Sequence, residues 1–217
     1  MKKHATIAGL SFAVLCAAGA GLAPALVRAA QAPAAAPTVA QNTARMDKPV
    51  RDFSLPGATS DTPGTLVRLR DFKGKKNVVL VWMSYTCPVT RQYEERLGKL
   101  VQAYGGANSD TAFVAVHANS PETNARIRRY AQDKNFTGPV LDDKATVPGL
   151  TEYFGVRATP TVVIVDKQGV LRFKGRIDNN PSDERGMDPL TKPLVAPALV
   201  ALRQGKEITV KTSPTPG

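Results

Sequence analysis

Cysteine and histidine are scarce in this sequence. Its 217 residues include two cysteines and two histidines, and one of each, Cys16 and His4, lies in the first thirty residues. The remaining pair, Cys87 and His117, falls short of the three or four protein ligands that a zinc site needs. The sequence also lacks a glycine-rich loop that opens a helix and could hold phosphate, since the Gly-Gly pair at 105–106 follows a predicted helix. We therefore expect no bound metal and no cofactor.

Basic residues outnumber acidic residues in the chain. With 29 lysines and arginines against 18 aspartates and glutamates, the formal net charge is +11 at neutral pH. The basic side chains are scattered and no aromatic residues alternate with them, whereas nucleic-acid binding needs a clustered basic patch or stripe. We therefore expect no nucleic-acid partner, although this charge can attract acidic partners or an anionic membrane surface.

The first thirty residues have the pattern of a secretory signal peptide. A basic start at residues 1–4 precedes an uncharged, apolar stretch at 7–22, and small residues follow up to Ala30. We predict a signal peptide over residues 1–30, cleaved after Ala29 or Ala30, and export of the protein to the periplasm. The alternative is an uncleaved segment that anchors the chain, which would be its one contact with a membrane.

Export leaves the mature chain with a single cysteine, Cys87, because Cys16 is removed with the signal peptide. An internal disulfide is then impossible, although oxidising compartments favour disulfides. A lone cysteine in an exported protein indicates a reactive thiol or pairing between molecules. The alternative is a buried, inert cysteine of the kind found in many protein cores, and the neighbouring sequence decides between the two.

The sequence after the signal peptide divides into a linker, one folded domain and a short tail. Residues 31–49 start with an alanine- and proline-rich stretch and predict a flexible linker, residues 50–210 the domain and residues 211–217 the tail. Within the domain, apolar β-branched runs predict strands and apolar faces of helical period predict helices. The predicted strands are 53–56, 66–69, 77–83, 113–116, 161–165 and 170–174, and the predicted helices are 88–105, 121–134 and about 194–205.

The order of these elements predicts an α/β fold. We expect a central mixed β-sheet flanked by helices, preceded by an N-terminal β extension. Two buried strands joined by the first helix should form a right-handed parallel crossover. The order resembles the core of the thioredoxin fold, in which Cys87 falls between the first central strand and its helix.

Cys87 leaves a buried strand and enters a helix that Pro88 opens. Its sulfur is therefore predicted at the helix N-terminus, where unpaired N–H groups and the helix dipole favour negative charge. Both lower the pKa of a thiol below its ordinary value of about 8.5 and raise its reactivity. The neighbouring hydroxyls of Ser84, Thr86 and Thr90 can donate hydrogen bonds to it, and Arg91, four residues further on, can add positive potential.

Thr159-Pro160 is the second candidate element of the site. Proline is excluded from the interior of a strand ladder but suits the entrance to the predicted strand 161–165. A cis bond before Pro160 would turn the backbone towards Cys87 and expose main-chain groups to an extended substrate segment. The alternative is an ordinary trans proline in a turn.

Four segments carry a family resemblance: 52–56 (DFSLP), 69–75 (LRDFKGK), 87–97 (CPVTRQYEERL) and 173–179 (FKGRIDN). They resemble the redoxin or AhpC/TSA group, which joins peroxiredoxins with exported thioredoxin-like proteins. The likeness covers about residues 50–210 and is closest to a single-cysteine, peroxiredoxin-like branch with an antioxidant role. It implies a thioredoxin-like fold, Cys87 as the redox nucleophile and Pro160 as the cis-proline.

The sequence departs from this family's patterns around Cys87. Thioredoxins carry a second cysteine three residues after the first, where this chain has Thr90, so Cys87 lacks a neighbouring cysteine that could resolve it. Peroxiredoxins place threonine three residues before the cysteine and proline four residues earlier still. Here Ser84 keeps the hydroxyl, whereas Leu80 replaces the proline.

The arginine that typical peroxiredoxins supply is also displaced. Aligning the strand that ends at Asp166 places Pro160 where that arginine would stand. If the sulfur has an arginine partner, it must be Arg157, Arg91 or Arg176.

These features predict a thiol oxidoreductase whose Cys87 thiolate attacks a peroxide or a disulfide. The family likeness favours peroxide, whereas the proline loop and the displaced arginine favour disulfide exchange. In either reaction, an external thiol or partner oxidoreductase must act as reductant. The alternative is a non-catalytic module that binds extended peptides at the groove beside Pro160.

Overall fold

The computed structural model of the chain describes residues 43–58, 65–144, 149–183 and 187–215. The predicted signal peptide and most of the predicted linker lie outside these residues, so export stays a prediction. Within the described ranges, no helix has the length and apolar character that crossing a membrane requires.

A five-stranded mixed sheet lies at the centre of the described domain. The strands, in chain order, are β1 (Ser54–Pro56), β2 (Leu66–Arg68), β3 (Asn77–Trp82), β4 (Thr111–His117), β5 (Val140–Asp142), β6 (Thr161–Val165) and β7 (Leu171–Gly175). The sheet has the order β5-β4-β3-β6-β7, and β1 pairs with β2 in a separate antiparallel pair. β3, β4 and β5 are parallel, whereas β6 runs antiparallel to β3 and β7 antiparallel to β6.

Helices cover both faces of this sheet. They are α1 (Pro88–Tyr104), α2 (Asn124–Asp133), α3 (Leu150–Tyr153) and α4 (Val195–Arg203), and one turn of 3-10 helix covers Leu69–Asp71. Val79 and Val81 of β3 pack with side chains of α1, α2 and α4, whereas Leu80 faces the opposite core with α3 and β1. Because successive side chains of a strand point to opposite faces, burial of both faces requires a continuous apolar run. The predicted α/β fold with an N-terminal β extension is confirmed.

The sequence predictions miss two short elements and start one helix too early. β5 and α3 are absent from those predictions because elements of three or four residues are too short to show a period. α2 begins at Asn124 instead of Pro121, since the Thr123 side chain caps the helix by accepting a hydrogen bond from the Arg126 N–H at 3.4 Å.

Residues 43–49 lie against the domain, although the sequence predicts them as part of a linker. The Asp47 N–H donates to the Leu171 carbonyl at 2.9 Å, and the Leu171 N–H donates to the Lys48 carbonyl at 3.0 Å. These bonds satisfy main-chain groups at the start of β7, an edge strand. The packed chain therefore begins before residue 50.

Residues 211–215, predicted as a tail, pair with the other half of β7. The Lys174 N–H donates to the Lys211 carbonyl at 2.9 Å, and the Ser213 N–H donates to the Lys174 carbonyl at 3.1 Å. The segment thus pairs with the edge strand through an isolated bridge between Lys174 and Thr212.

The sheet register brings three loops together at one edge. Trp82, the last residue of β3, pairs with Val116 of β4 on one side and with Thr161, the first residue of β6, on the other. The loops that follow β3 and β4 therefore converge with the loop that precedes β6. In α/β sheets, binding and catalytic groups collect outside the carboxyl ends of parallel strands.

Candidate active site

Cys87 lies at the predicted junction of β3 and α1. It is the N-cap residue of this 17-residue helix, with extended backbone angles of φ −80° and ψ 120°, and Pro88 follows in the first turn. Its N–H donates to the Ser84 carbonyl at 3.2 Å, and its carbonyl accepts from the Arg91 N–H at 3.3 Å. The thiol is free and half-buried. A half-buried sulfur at a helix start is open to a reactant, unlike an inert cysteine in a core.

The surroundings lower the pKa of the Cys87 thiol. Partial burial acts in the opposite direction, because it penalises the charged thiolate. Hydrogen bonding outweighs burial: the side chains of Thr159 and Thr90 and the N–H groups of Thr90 and Val89 all favour the anion. Both N–H groups belong to the first turn of α1, whose donors have no partner within the helix. The direction agrees with the expectation from the helix-start position.

The loop before β6 contacts the sulfur. The Thr159–Pro160 peptide bond is cis, and the Cys87 Sγ donates to the Thr159 carbonyl oxygen at a distance of 3.4 Å. Pro160 is buried, and the Thr161 hydroxyl fixes the loop by donating to the Ala158 carbonyl at 2.6 Å. The geometry agrees with the expected cis bond facing Cys87, while a role for these residues in substrate binding stays a proposal.

Thr90 places a buried hydroxyl on the first turn of α1. The residue is 1% exposed, and its Oγ1 has no hydrogen-bond partner of good geometry among the described residues. The hydroxyl nevertheless lies close enough to Cys87 to lower the pKa of the thiol. Thr90 therefore stands where a thioredoxin has its second cysteine, and its hydroxyl can donate a hydrogen bond to the Cys87 thiolate.

A buried carboxylate, Glu122, lies beneath the loop that carries Cys87. The residue is 1% exposed. Its Oε1 accepts hydrogen bonds from the Ser84 hydroxyl at 2.6 Å and from the Thr86 N–H at 3.3 Å, and the Thr86 hydroxyl lies 3.4 Å away. Its Oε2 lies 2.7 Å from Nδ1 of His117. Burial raises the pKa of Glu122, but the hydrogen bonds from His117 and Ser84 outweigh it and hold this pKa below its usual value.

Ser84 connects this carboxylate to its neighbours. Its hydroxyl lies 2.9 Å from the Thr86 hydroxyl and accepts from Nδ2 of Asn119 at 2.7 Å. We call Ser84, Thr86, His117, Asn119 and Glu122 the Glu122 cluster. The sequence predicts Ser84 and Thr86 as donors to the sulfur, but the described hydrogen bonds of their hydroxyls join them to Glu122, to Asn119 and to each other.

Glu122 and Asn119 are absent from the sequence predictions. One sequence feature could have identified them as site residues, namely their place in the loop after β4. The carboxyl end of β4 lies beside the carboxyl end of β3. A glutamate in a polar, proline-containing loop otherwise has the pattern of an exposed residue. His117, the other member of this buried pair, is 2% exposed and lies beside Glu122.

The family model described as Redoxin matches residues 44–190 of the chain. The chain belongs to the Redoxin family. The fold, the helix-start cysteine and the proline loop beside it are consistent with this assignment, and the resemblance inferred from the sequence is confirmed.

Relatives of this redoxin include two thiol-disulfide proteins and an alkyl hydroperoxide reductase. It is 33% identical to the thiol:disulfide interchange protein DsbE of Allochromatium vinosum over 140 residues, which cover 61% of this chain and 68% of that protein. It is 26% identical to the thiol-disulfide oxidoreductase ResA of Halalkalibacterium halodurans over 111 residues, or 51% and 59% of the two chains. It is 28% identical to alkyl hydroperoxide reductase E of Mycobacterium tuberculosis over 130 residues, or 56% and 78%. The matched part thus spans about three-fifths of ResA.

Solved structures share the fold over most of their length. A hypothetical protein from Sinorhizobium meliloti has a TM-score of 0.67 at 24% identity, covering 81% of this chain and 93% of its own. A conserved protein from Geobacillus kaustophilus has a TM-score of 0.65 at 22% identity, covering 80% and 90%. The thioredoxin domain of a Bacteroides vulgatus thiol-disulfide oxidoreductase has a TM-score of 0.51 at 17% identity, covering 65% and 94%. These likenesses confirm the predicted thioredoxin-like fold.

The three candidate arginines of this redoxin are exposed or bonded elsewhere. Arg91 and Arg157 are exposed, and Nε of Arg176 donates to the Pro214 carbonyl at 2.7 Å. Among the described residues, no side-chain hydrogen bond or ion pair joins any of these arginines to Cys87. The direction of the thiol's pKa shift follows from helix-start and hydroxyl donors instead.

Proposed function

We propose that this protein is an exported thiol oxidoreductase of the periplasm in which Cys87 exchanges disulfides with a partner. The observation that carries the proposal is the placement of the sulfur. A half-buried thiol of lowered pKa stands at the start of α1 and lies 3.4 Å from the Thr159 carbonyl of the loop before β6. Such a thiol is available as a thiolate, which is the nucleophile in thiol–disulfide exchange.

The proposed reaction has two exchange steps. The Cys87 thiolate attacks one sulfur of a substrate disulfide, a new S–S bond forms, and the other substrate sulfur leaves as a thiolate. An external thiolate then attacks the substrate sulfur of this mixed disulfide, which releases Cys87 as a thiolate and transfers the disulfide to the attacking molecule. Because Thr90 replaces the second cysteine of thioredoxins, resolution depends on that external thiol.

The loop before β6 supplies the wall of the proposed substrate site. Pro160 is buried and Thr159 is partly exposed beside the sulfur. An extended segment that carries the substrate disulfide would lie along the main chain of Thr159, where backbone hydrogen bonds give affinity without demanding a particular side chain.

Peroxide reduction is the second candidate, and the donors around the sulfur favour it. The Cys87 thiolate would attack the O–O bond to give a sulfenic acid and an alcohol or water, and an external thiol would then reduce the sulfenic acid through a mixed disulfide. The Thr90 hydroxyl and the N–H groups of the first turn of α1 can bind a peroxide oxygen. The likeness to alkyl hydroperoxide reductase E supports this reading, whereas the exposed positions of Arg91 and Arg157 weigh against it.

The deciding experiment compares two oxidants on protein that lacks residues 1–30. Glutathione disulfide and equimolar hydrogen peroxide are supplied separately, rates are measured at neutral pH, and products are identified by non-reducing mass spectrometry. We expect a mixed disulfide at Cys87 that forms faster than with free cysteine, and no reaction in Cys87→Ser. A larger acceleration with peroxide would favour the second candidate. If neither oxidant reacts faster than with free cysteine, the non-catalytic peptide-binding module becomes the better reading.

The same experiment tests whether Cys87 needs an external thiol to release it from its mixed disulfide. Thr90→Cys places a second thiol about one helical turn from Cys87 and recreates a C-x-x-C pair. After oxidation, this variant should give an internal disulfide, whereas the parent protein should give mixed disulfides or dimers linked through Cys87. Sustained turnover of the parent without any added thiol or partner would contradict the need for an external resolver.

A further inference from the structure

The Glu122 carboxylate lies inside the protein, directly below the turn that delivers Cys87 to α1. We infer that Glu122 is a positioning residue, whose carboxylate holds residues 84–86 so that the sulfur stays at the start of the helix. The inference deepens the proposed function and rests on it, because it concerns the reactivity of Cys87.

Three donors from one short turn converge on one oxygen of Glu122. The Ser84 hydroxyl and the Thr86 N–H lie 2.6 and 3.3 Å from Oε1, and the Thr86 hydroxyl lies 3.4 Å from it. The Thr86 N–H belongs to the peptide that precedes Thr86, and the Cys87 N–H donates back to the Ser84 carbonyl at 3.2 Å. The carboxylate therefore restrains both sides of the turn on which the Cys87 backbone depends.

Glu122 is itself attached to the sheet and to α2. Its second oxygen lies 2.7 Å from Nδ1 of His117, the last residue of β4. Its carbonyl accepts from Nζ of Lys144 at 2.5 Å, and the same ammonium donates to Oδ1 of Asn124 at 3.2 Å. Glu122 thus connects the cysteine turn to the rigid part of the fold through both its carboxylate and its carbonyl, which is what a group that fixes a reactive side chain requires.

The contacts of Glu122 suit an ionised acceptor, in keeping with its lowered pKa. A neutral amide side chain has one end that donates hydrogen bonds, and this end would face one of the partners of Glu122. A carboxylate instead accepts hydrogen bonds on both oxygens. Hydrogen bonds to an ionised acceptor are also about twice as strong as those between neutral groups. An apolar residue of similar volume would avoid the penalty of burying a charge. We therefore attribute the charge at this position to its hold on residues 84–86 and not to the stability of the core.

Two effects of Glu122 on the thiol have opposite signs. Its negative charge disfavours a nearby thiolate and so raises the pKa of Cys87. Its hold on the turn keeps the sulfur beside the Thr90 and Val89 N–H groups, which lower that pKa. If positioning is the main effect, removing the charge must raise the pKa of Cys87 and slow the thiol, and if charge is the main effect, it must do the reverse.

The test compares Glu122→Gln with a second buried carboxylate, Asp166→Asn. Asp166 is 5% exposed and accepts hydrogen bonds from two turn N–H groups, of Gln168 and Val170, both at 2.9 Å, and from Nε of Arg172 at 2.6 Å. It follows β6 at the end opposite Pro160, so it matches Glu122 in burial and hydrogen bonding but is remote from the sulfur. Each variant is assayed for stability by urea unfolding, for the pKa of Cys87 by thiolate absorbance, and for its rate with glutathione disulfide.

We expect Glu122→Gln to raise the pKa of Cys87 and to slow its reaction by roughly tenfold to a hundredfold, the scale of a small misplacement of a reacting group. Asp166→Asn should lose stability and keep both thiol properties. If Glu122→Gln does not fold, Ser84→Ala, which removes the 2.6 Å bond to Oε1, should give the same directions with smaller size. An unchanged or lowered pKa of Cys87, or an equal slowing in Asp166→Asn, overturns the inference. A parent protein whose Cys87 reacts no faster than free cysteine overturns the proposed function instead, so the two failures are distinguishable.

Discussion

Two buried charged clusters adjoin α1, and they satisfy their charges in different ways. In the Glu122 cluster, a carboxylate accepts from hydroxyl, amide and imidazole groups. In the second, Arg96 of α1 pairs with Asp178, which follows β7, and both are at most 6% exposed. We call Tyr93, Arg96 and Asp178 the Arg96 cluster.

The Arg96 cluster leaves polar atoms unsatisfied, whereas both oxygens of Glu122 have partners. Arg96 also donates to the carbonyls of Asn180 at 2.9 Å and Pro181 at 3.4 Å, and its guanidinium lies 4.0 Å from the centre of the Tyr93 ring. Yet Nε of Arg96 and the Tyr93 hydroxyl are buried without a hydrogen-bond partner among the described residues.

The difference separates stability from reactivity. Arg96 joins the body of α1 to the segment after β7 through an opposite charge, so its loss leaves a buried charge uncompensated. Glu122 holds a turn that ends at Cys87 through many weaker donors, so its loss alters the placement of the sulfur. We therefore expect the Arg96 cluster to dominate unfolding measurements and the Glu122 cluster to dominate thiol chemistry.

The largest effect should come from Arg96→Met. Removing one partner of a buried ion pair leaves the other charge unpaired, which destabilises a protein by about 3–5 kcal/mol. The free energy of unfolding in urea measures this loss. Arg203→Met is the matched control, because Arg203 of α4 pairs with Asp110 at 3.1 Å but is half exposed, and exposed pairs contribute about 1 kcal/mol or less. Equal stability losses in the two variants would show that the buried Arg96–Asp178 pair stabilises the fold no more than an exposed pair does.

Acid should weaken the Glu122 cluster specifically. The pKa of Glu122 is lowered in the folded protein, so its contribution to stability is complete above the ordinary glutamate pKa and is lost as pH falls through the lowered value. The charged or titratable groups around it are His117, Lys144 and Tyr130. The difference in unfolding free energy between the parent and Glu122→Gln should shrink between neutral and acid pH.

Urea titrations at several pH values measure this difference. Glu95→Gln, which changes an exposed glutamate of α1, controls for the removal of one carboxyl group. If the difference in unfolding free energy between the parent and Glu122→Gln grows towards acid pH, the predicted direction of the pH dependence is wrong.

Thr90→Val should change the thiol more than the fold. The Thr90 hydroxyl has no good hydrogen-bond partner to lose, and valine has the same shape, so stability should change by less than about 1 kcal/mol. The hydroxyl does help to lower the pKa of Cys87. The variant should therefore raise this pKa and reduce the rate at neutral pH, which absorbance titration and the glutathione disulfide assay measure. An unchanged pKa would show that the hydroxyl does not act on the sulfur.

The smallest effect should come from Tyr93→Phe. Burial and the nearby Asp178 charge raise the pKa of Tyr93 to about 12, so its hydroxyl stays neutral. Because that hydroxyl lies near Asp178 without a hydrogen bond of good geometry, its removal should leave stability within about 0.5 kcal/mol or raise it. Thermal and urea unfolding measure the change. A loss of stability well above this range would mean that the Tyr93 hydroxyl is hydrogen-bonded through water. The Arg96 cluster would then resemble the Glu122 cluster in having partners for its polar atoms.

Local patterns were sufficient to predict the cysteine and its helix. The apolar run of β3, the Cys87-Pro88 pair and the apolar face of α1 are adjacent in sequence, and each depends on residues within a turn or a strand. The strand-to-helix junction, the N-cap position of Cys87 and the direction of its pKa shift follow from these neighbours. Pro160 was also predictable, because proline is tolerated at the entrance of a strand and excluded from its interior.

Tertiary structure alone decided which groups surround the turn. Ser84 and Glu122 are 38 residues apart and meet because β3 and β4 are parallel neighbours in register. The same sheet order directs the Ser84 hydroxyl to a buried carboxylate and leaves Arg91 exposed. Sequence periods report which face of an element is buried, but they do not specify strand order or register, and contacts between loops at a sheet edge depend on both.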